Sequence, residues 1–418
     1  TTFEPDETFV VNLTTPINAT IADGQGVGTI LDARGISLSG VPDWVEEGPG
    51  PISGWPVFAA GAIEAIVADP SDPDRIFVGT VNGGIWRTAN ATDSTPIWIP
   101  LTDQFVSLSI GDIDFSPLDT ASNTIFAGIG RFSAGYQWGG PQTGLLKSTD
   151  GGSTWVELGL TVFDGLNVRS VVPTAITTEA GQVILVASSG GVFRSADGGE
   201  TWTKLSGSPG TNLPDGAASH LVADPGDPMR SYVAMPSQGV FRSEDGGISW
   251  EQINGAGITM ITGSLPASRI ELAVHDRNGQ NVVYAAVLQN GVPPLGGFTQ
   301  RLVGLFRSTD QGTTWRLVKN QPQVPYNGQG HVHFSMVADP MEANVLFIKG
   351  DVDPGYRVQM DDAEPALDSW MPIMGVDGTA PHVDSRDMVF DAQGNLLEAD
   401  DGGVYRLINP NDPLTRRW

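Results

Sequence analysis

The sequence predicts an all-β protein: a seven-bladed β-propeller of four-stranded blades, preceded by a partial β-sandwich segment. Three observations predict it. An eight-residue string recurs four times, and a short strand before it and a tryptophan strand after it recur again without it. The composition, with Gly 53 and Pro 30 in 418 residues, suits many short strands joined by tight turns. No segment carries the apolar stripe of an amphipathic helix.

The string is Ser-x-Asp-x-Gly-x-x-Trp, at Ser148–Trp155, Ser195–Trp202, Ser243–Trp250 and Ser308–Trp315. The first three serines are 47 and 48 residues apart, one blade each, and the fourth follows 65 residues on, which leaves room for one insertion. Its chemistry is that of a tight hairpin. Asp150, Asp197, Asp245 and Asp310 accept backbone N–H groups in the turn, and the glycines supply the positive φ it requires. Trp155, Trp202, Trp250 and Trp315 cover the hairpin and pack between blades.

Degenerate copies complete the series: Gly84–Arg87 with Trp98–Leu101, Trp370–Ile373, and Gly403–Arg406 with Trp418. Seven of the eleven tryptophans thereby fall in one repeat slot. Apolar stretches running into Asp-Pro or a relative mark the innermost strands, near Ala65–Pro70, Asp112–Pro117, Leu221–Pro225, Ala273–Asp276, Met336–Pro340 and Met388–Asp391. The blades fall near 63–101, 109–158, 166–205, 217–253, 268–318, 331–373 and 382–418. Residues 33–62 read as a linker packing on the propeller. Residues 1–32 hold two strands, Thr8–Leu13 and Gly26–Leu31, too few for a domain. The seventh blade stops on its tryptophan where the others run three residues further. Both ends therefore predict a piece of a longer protein.

The net charge of −26 argues against nucleic acid as a partner, because phosphate contacts need clustered Lys and Arg. It suits a cation-rich exterior, extracellular or at a cell surface. No cysteine is present, which removes disulfides and thiolate chemistry, and no apolar run reaches membrane-spanning length.

The four strings resemble the bacterial-neuraminidase (Asp-box) repeat of sialidases, xyloglucanase-type glycoside hydrolases and sortilin-type receptors, over roughly residues 60–418. Residues 1–32, with ETFVVNLTTPINATIADGQGVGTILD, resemble the C-terminal tail of a Calx-β domain. That family binds Ca²⁺ through loop carboxylates, which the resemblance places at Glu4, Asp6 and Glu7. Pro381–Arg406 is similar to the H-V-D…D-G-G-V-Y stretch of large Asp-box proteins, with Arg386-Asp387 around the place where many copies carry a second His.

Sialidases need three arginines on the substrate carboxylate, a Tyr–Glu pair and an Asp acid. The Arg-Ile-Pro string that supplies the first arginine is absent; Asp74–Phe77 is nearest and reads as a turn entering a strand. Glycoside hydrolysis needs only two facing carboxylates, for which Asp112, Asp114, Asp384 and Asp387 are candidates near innermost-strand starts. Counting four residues back from each landmark aspartate or its equivalent gives a comparatively polar slot: Ala65, Asp112, His220, Leu272, Ser335 and Asp387. The alternative is that these residues hydrate or hydrogen-bond the channel. Three of the five histidines cluster: His331 and His333, placed on one strand face by their spacing, and His382. With Asp384 they could chelate a divalent metal, or they are hydrogen-bonded at a blade junction. The acidic segment Asp351–Asp362 reads as a solvated loop rather than a Ca²⁺ site.

Two functions follow. One is a binding or assembly module that contacts glycans, proteins or copies of itself, without catalysis and with Ca²⁺ as its only candidate cofactor. The other is a glycoside hydrolase with paired carboxylates at the central channel.

Overall fold

The computed structural model describes residues 7–12, 25–30, 61–133, 138–255, 258, 267–290, 300–322, 324, 328–352 and 354–418. The chain divides into two compact units, Thr1–Glu47 and Gly48–Trp418. In the first, Glu7–Asn12 pairs antiparallel with Gln25–Ile30. Glu4, Asp6, the Glu7 side chain and residues 31–60, most of the expected linker, lie outside the described residues.

The second unit is a seven-bladed propeller. Its described residues form six sheets of four antiparallel strands and one of three. The innermost strands, blades 1 to 7, are Ile63–Ala68, Ile110–Phe115, Val168–Thr177, His220–Asp224, Ala267–Arg277, Ser335–Ala338 and Asp387–Phe390. Each packs beside the next, and Asp387–Phe390 closes the ring on Ile63–Ala68. In blade 7 an antiparallel bridge between Ile408 and Arg417 stands in the place of a fourth strand.

Second strands such as Ile125–Ile129 and Val345–Lys349 are buried on both faces, because each blade is covered by a neighbour on either side. Seven apolar clusters fill the seven blade interfaces; Ile63, Ile66, Ile76 and Val78 meet Leu397 and Ala399 where the ring closes. The seven slot tryptophans are distributed one per interface, each against the preceding blade. Trp315 Nε1 donates to the Ile253 carbonyl of blade 4 at 2.6 Å, and Trp418 Nε1 repeats this on Ile373 of blade 6 at 2.7 Å.

The four strings form the same hairpin between third and fourth strands. In the first, Ser148 Oγ donates to Asp150 Oδ1 (2.9 Å) and accepts the Gly152 N–H (2.9 Å), while Asp150 accepts the Thr154 N–H (2.8 Å) and hydroxyl (2.7 Å). The other three repeat it. Burial would raise Asp197, but Thr201 and Ser195 outweigh it and hold the carboxyl at about 2.

The expected loop at Asp351–Asp362 is instead built into blade 6. Tyr356–Gln359 is its third strand, Asp351 accepts the Gln329 N–H at 2.9 Å, and Asp362 pairs with Arg307 and Arg316 of blade 5. Those basic partners lie 46 or more residues away in sequence, so the local composition reads as solvated.

Candidate functional site

The innermost strands are joined at their polar slot. Asp112 Oδ2 accepts the N–H of Val171 (2.6 Å), Ser170 Oγ that of Leu221 (3.1 Å), His220 Nδ1 that of Leu272 (2.9 Å) and Asp387 Oδ2 that of Ile66 (2.9 Å). In each case a blade's slot side chain takes a donor from the next blade. Ser335 and Ser385 hydroxyls join blades 6 and 7 at 2.7 Å. The count that placed Leu272 in this slot is one residue late. Blade 5 lacks Asp-Pro and its hairpin continues through Arg277 paired with Gln280, so Glu271 holds the slot and Leu272 is core.

Asp112, Asp114 and Asp387 are half-buried on the channel wall. Burial, with the charges of Asp114 and Asp387, raises Asp112 well above its ordinary value of 3.8. Burial and Asp387 raise Asp114 to about 7; burial, Glu271 and Glu64 raise Asp387 to about 7. Asp114 and Asp387 are therefore partly protonated near neutrality.

One residue before the slot, β-bulges leave Glu64, Gly111 and Arg169 outside the ladder. Bulges re-aim side chains, and here they serve the channel mouth. Gly111 must be glycine: a Cβ would lie 2.3 Å from the Val168 carbonyl and 2.7 Å from the Phe132 ring. Arg169 stacks on the other ring contact, its guanidinium 3.6 Å from the Phe132 centroid. At the same position in blade 7 stands Arg386. It donates to Glu64 (2.5 Å), Asp401 (2.5 Å), the Phe132 carbonyl (3.0 Å) and His333 Nε2 (3.1 Å). Arg169 lies 3.7 Å from Glu64, and Arg269 pairs with Glu271 at 2.8 Å while donating to the Gly330 and Phe334 carbonyls.

Burial and the charged partners oppose each other at most of these groups. Burial raises Glu64 despite Arg386 and Arg169, and with the Arg269 charge it lowers Arg169 to about 10. Burial would also raise Asp401, but His333 and Arg386 hold it at about 2. For His333 burial favours the neutral ring, and Asp384 with Asp401 outweighs it and raises the pKa. Full protonation requires Arg386 to turn from Nε2.

The histidines are not on a strand face. Val332 and His333 both donate N–H to the Gln329 carbonyl, folding Gln329–His333 into a turn ahead of the blade 6 inner strand. His333 meets Asp384 at 3.0 Å, His331 Nδ1 is buried without a hydrogen bond, and His382 Nδ1 contacts the Val383 carbonyl at 2.9 Å. Among the described residues, no group of three or more His, Asp or Glu is arranged to hold a metal ion. Glu64, Arg169, Arg269, Arg386 and Asp401 were missed by the sequence reading. The available signal was a charged residue immediately before the slot in blades 1, 3 and 7.

No family model matches this sequence, and no curated protein matches it. Solved structures do. An ancestral GH74 enzyme superposes with a TM-score of 0.62 at 16% identity, over 86% of this chain and 46% of its own. The GH74 xyloglucanase from Xanthomonas campestris gives 0.58 at 18% identity, over 86% and 54%. YCF48 bound to D1 peptide gives 0.51 at 15% identity, over 83% and 92%. This chain thus spans about half the length of the two GH74 proteins. Likeness at such identity establishes the fold, a seven-bladed β-propeller, and leaves function to the site.

Proposed function

We propose that this propeller is a non-catalytic binding or assembly module of an extracellular or cell-surface protein, that its four strings are Asp boxes, and that residues 1–32 are the tail of a Calx-β domain. One observation carries the reading. The channel mouth is occupied by the protein's own charges, with Arg386 shared among Glu64, Asp401, His333 and the Phe132 carbonyl. Each arginine there already faces a carboxylate, which disfavours a sialidase-like clamp. Asp112 and Asp387 stitch blades together, and Asp384 is held by His333.

The rim beside the network offers a contact surface to glycans or proteins. Trp138 is 68% exposed. Its loop is pinned where the Gly140 N–H donates to Ser109 Oγ at 2.9 Å and Arg131 Nε donates to the Gly140 carbonyl at 2.6 Å. An exposed indole stacks on a sugar face or anchors a protein interface. Glycan and peptide arrays probed with the purified chain test this. The expected outcome is a ligand whose affinity falls about tenfold or more in Trp138→Ala, as for an interface anchor; unchanged affinity removes the rim from the reading.

A second reading, glycoside hydrolysis, draws on Asp114 and Asp387, each near 7 where a general acid works best. Release of reducing sugar from a polysaccharide such as xyloglucan, abolished in Asp114→Asn or Asp387→Asn, would replace the binding reading with this one.

A further inference from the structure

The interface between blades 6 and 7 carries charge where the others carry apolar side chains. Strand alternation turns Val345, Phe347 and Lys349 of blade 6 toward Leu396, Glu398 and Asp400 of blade 7. Val345, Phe347 and Leu396 belong to one apolar cluster. Lys349, Glu398 and Asp400 are each 0% exposed, and Lys349 Nζ lies 2.9 Å from Glu398 Oε1 while donating to the His382 carbonyl at 2.5 Å. The matching layer of blade 5, facing blade 6, is Tyr284, Ala286 and Leu288. An ion pair removed from water is seldom worth more than apolar packing in the same volume, so stability alone does not account for it.

Asp400 completes the group. Its Oδ1 accepts the N–H groups of Gly402 (2.7 Å) and Gly403 (3.1 Å), and its Oδ2 is buried without a hydrogen bond. Burial and the Glu398 charge, opposed by Lys349, raise it to about 9, so it carries a proton at neutral pH. An amine and a carboxyl acceptor in contact, and a protonated acid two residues further along the same strand, thus share one dry interface.

We propose that Lys349 and Glu398 become joined by an isopeptide bond that the folded protein forms itself, with Asp400 as proton relay. A proton passes from Lys349 Nζ to Glu398, giving the neutral amine and acid that a medium of low polarity favours. The Nζ lone pair attacks Glu398 Cδ. Asp400 gives its proton to the departing hydroxyl and takes one from the nitrogen. The C–N bond forms as the C–O bond breaks, one water leaves, and Asp400 ends as it began. The condensation needs no oxidant or cofactor. Contact within the fold supplies an effective concentration of about 10⁵–10⁸ M for well-oriented groups. The product ties the second strands of two blades into one covalent unit.

Intact mass of the purified chain after denaturation tests the proposal. The expected result is a mass one water below that of the sequence, with a branched tryptic peptide joined at Lys349 and Glu398. Lys349→Met and Asp400→Asn, checked for folding by circular dichroism, should retain the full sequence mass. Wild type alone decides the matter if those variants do not fold. A wild-type mass equal to that of the sequence, water loss mapped elsewhere, or a branch to Asp400 overturns the proposal.

Discussion

Replacing Arg386 with methionine removes the cation shared across the channel mouth and keeps much of its volume. The side chains of Arg386 and Glu64 are 2% and 5% exposed, so neither charge has water to fall back on. Without Arg386, Glu64 keeps Arg169 at 3.7 Å, and Asp401 keeps His333 at 3.5 Å. Breaking a buried pair from one side costs about 3–5 kcal/mol. At about 2.1 cal/mol/K of unfolding entropy per residue, that lowers the Tm of the larger unit, Gly48–Trp418, by about 4–6 °C. Differential scanning fluorimetry at pH 7 measures it.

The pH dependence has a fixed sign. Burial already raises Glu64 above its ordinary value of 4.5, so its ionisation weakens the fold as pH rises through the folded pKa. Loss of Arg386 raises that pKa further. The deficit of the variant is therefore largest above the folded pKa of Glu64 and shrinks as pH falls through it. Adding Glu64→Gln removes the orphaned charge and recovers stability. A single variant within about 1 °C of wild type at neutral pH, where several degrees are expected, refutes the reasoning. So does a double-mutant cycle without coupling.

Three further outcomes are expected. Gln311 holds φ +59° where the other strings place glycine at +70 to +74°, so Gln311→Gly should raise stability by about 1 kcal/mol in urea denaturation. Trp250 Nε1 is buried without a hydrogen bond while Trp315 Nε1 donates to Ile253, so Trp315→Phe should cost about 1 kcal/mol more than Trp250→Phe in the same assay. Asp114 is raised to about 7, so the stability it contributes is complete below about pH 4 and lost as pH rises through 7. Asp114→Asn should raise Tm near pH 8, leave it unchanged near pH 3.5, and flatten the profile between them.

What the sequence makes legible here is what the chain does within a few residues. The string is readable because its bonds are local: Ser148, Asp150, Gly152 and Thr154 satisfy one another within one turn. The tryptophan slot is readable because each blade repeats it. Errors begin where a bulge or turn shifts the phase, as when blade 5 puts Glu271 in the slot in place of Leu272, or when Gln329–His333 winds into a turn where the spacing of His331 and His333 reads as a strand. Asp112 and Asp387 were found as channel residues, but their backbone partners Val171 and Ile66 belong to neighbouring blades.

The mouth network lies beyond that reach for a topological reason. Glu64 and Arg386 are 322 residues apart and meet only because the seventh blade returns to the first. Periodicity shows a charged residue before the slot in blades 1, 3 and 7, but it does not show which charges will neutralise each other. That depends on ring closure, on the bulges that re-aim Glu64 and Arg169, and on Phe132 crossing from blade 2 to lend Arg386 its carbonyl. The same eight-residue hairpin can therefore serve a channel whose arginines are free or one whose arginines are spent. The difference lies in residues such as Glu64, which no repeat specifies, and there the binding reading and the hydrolase reading part.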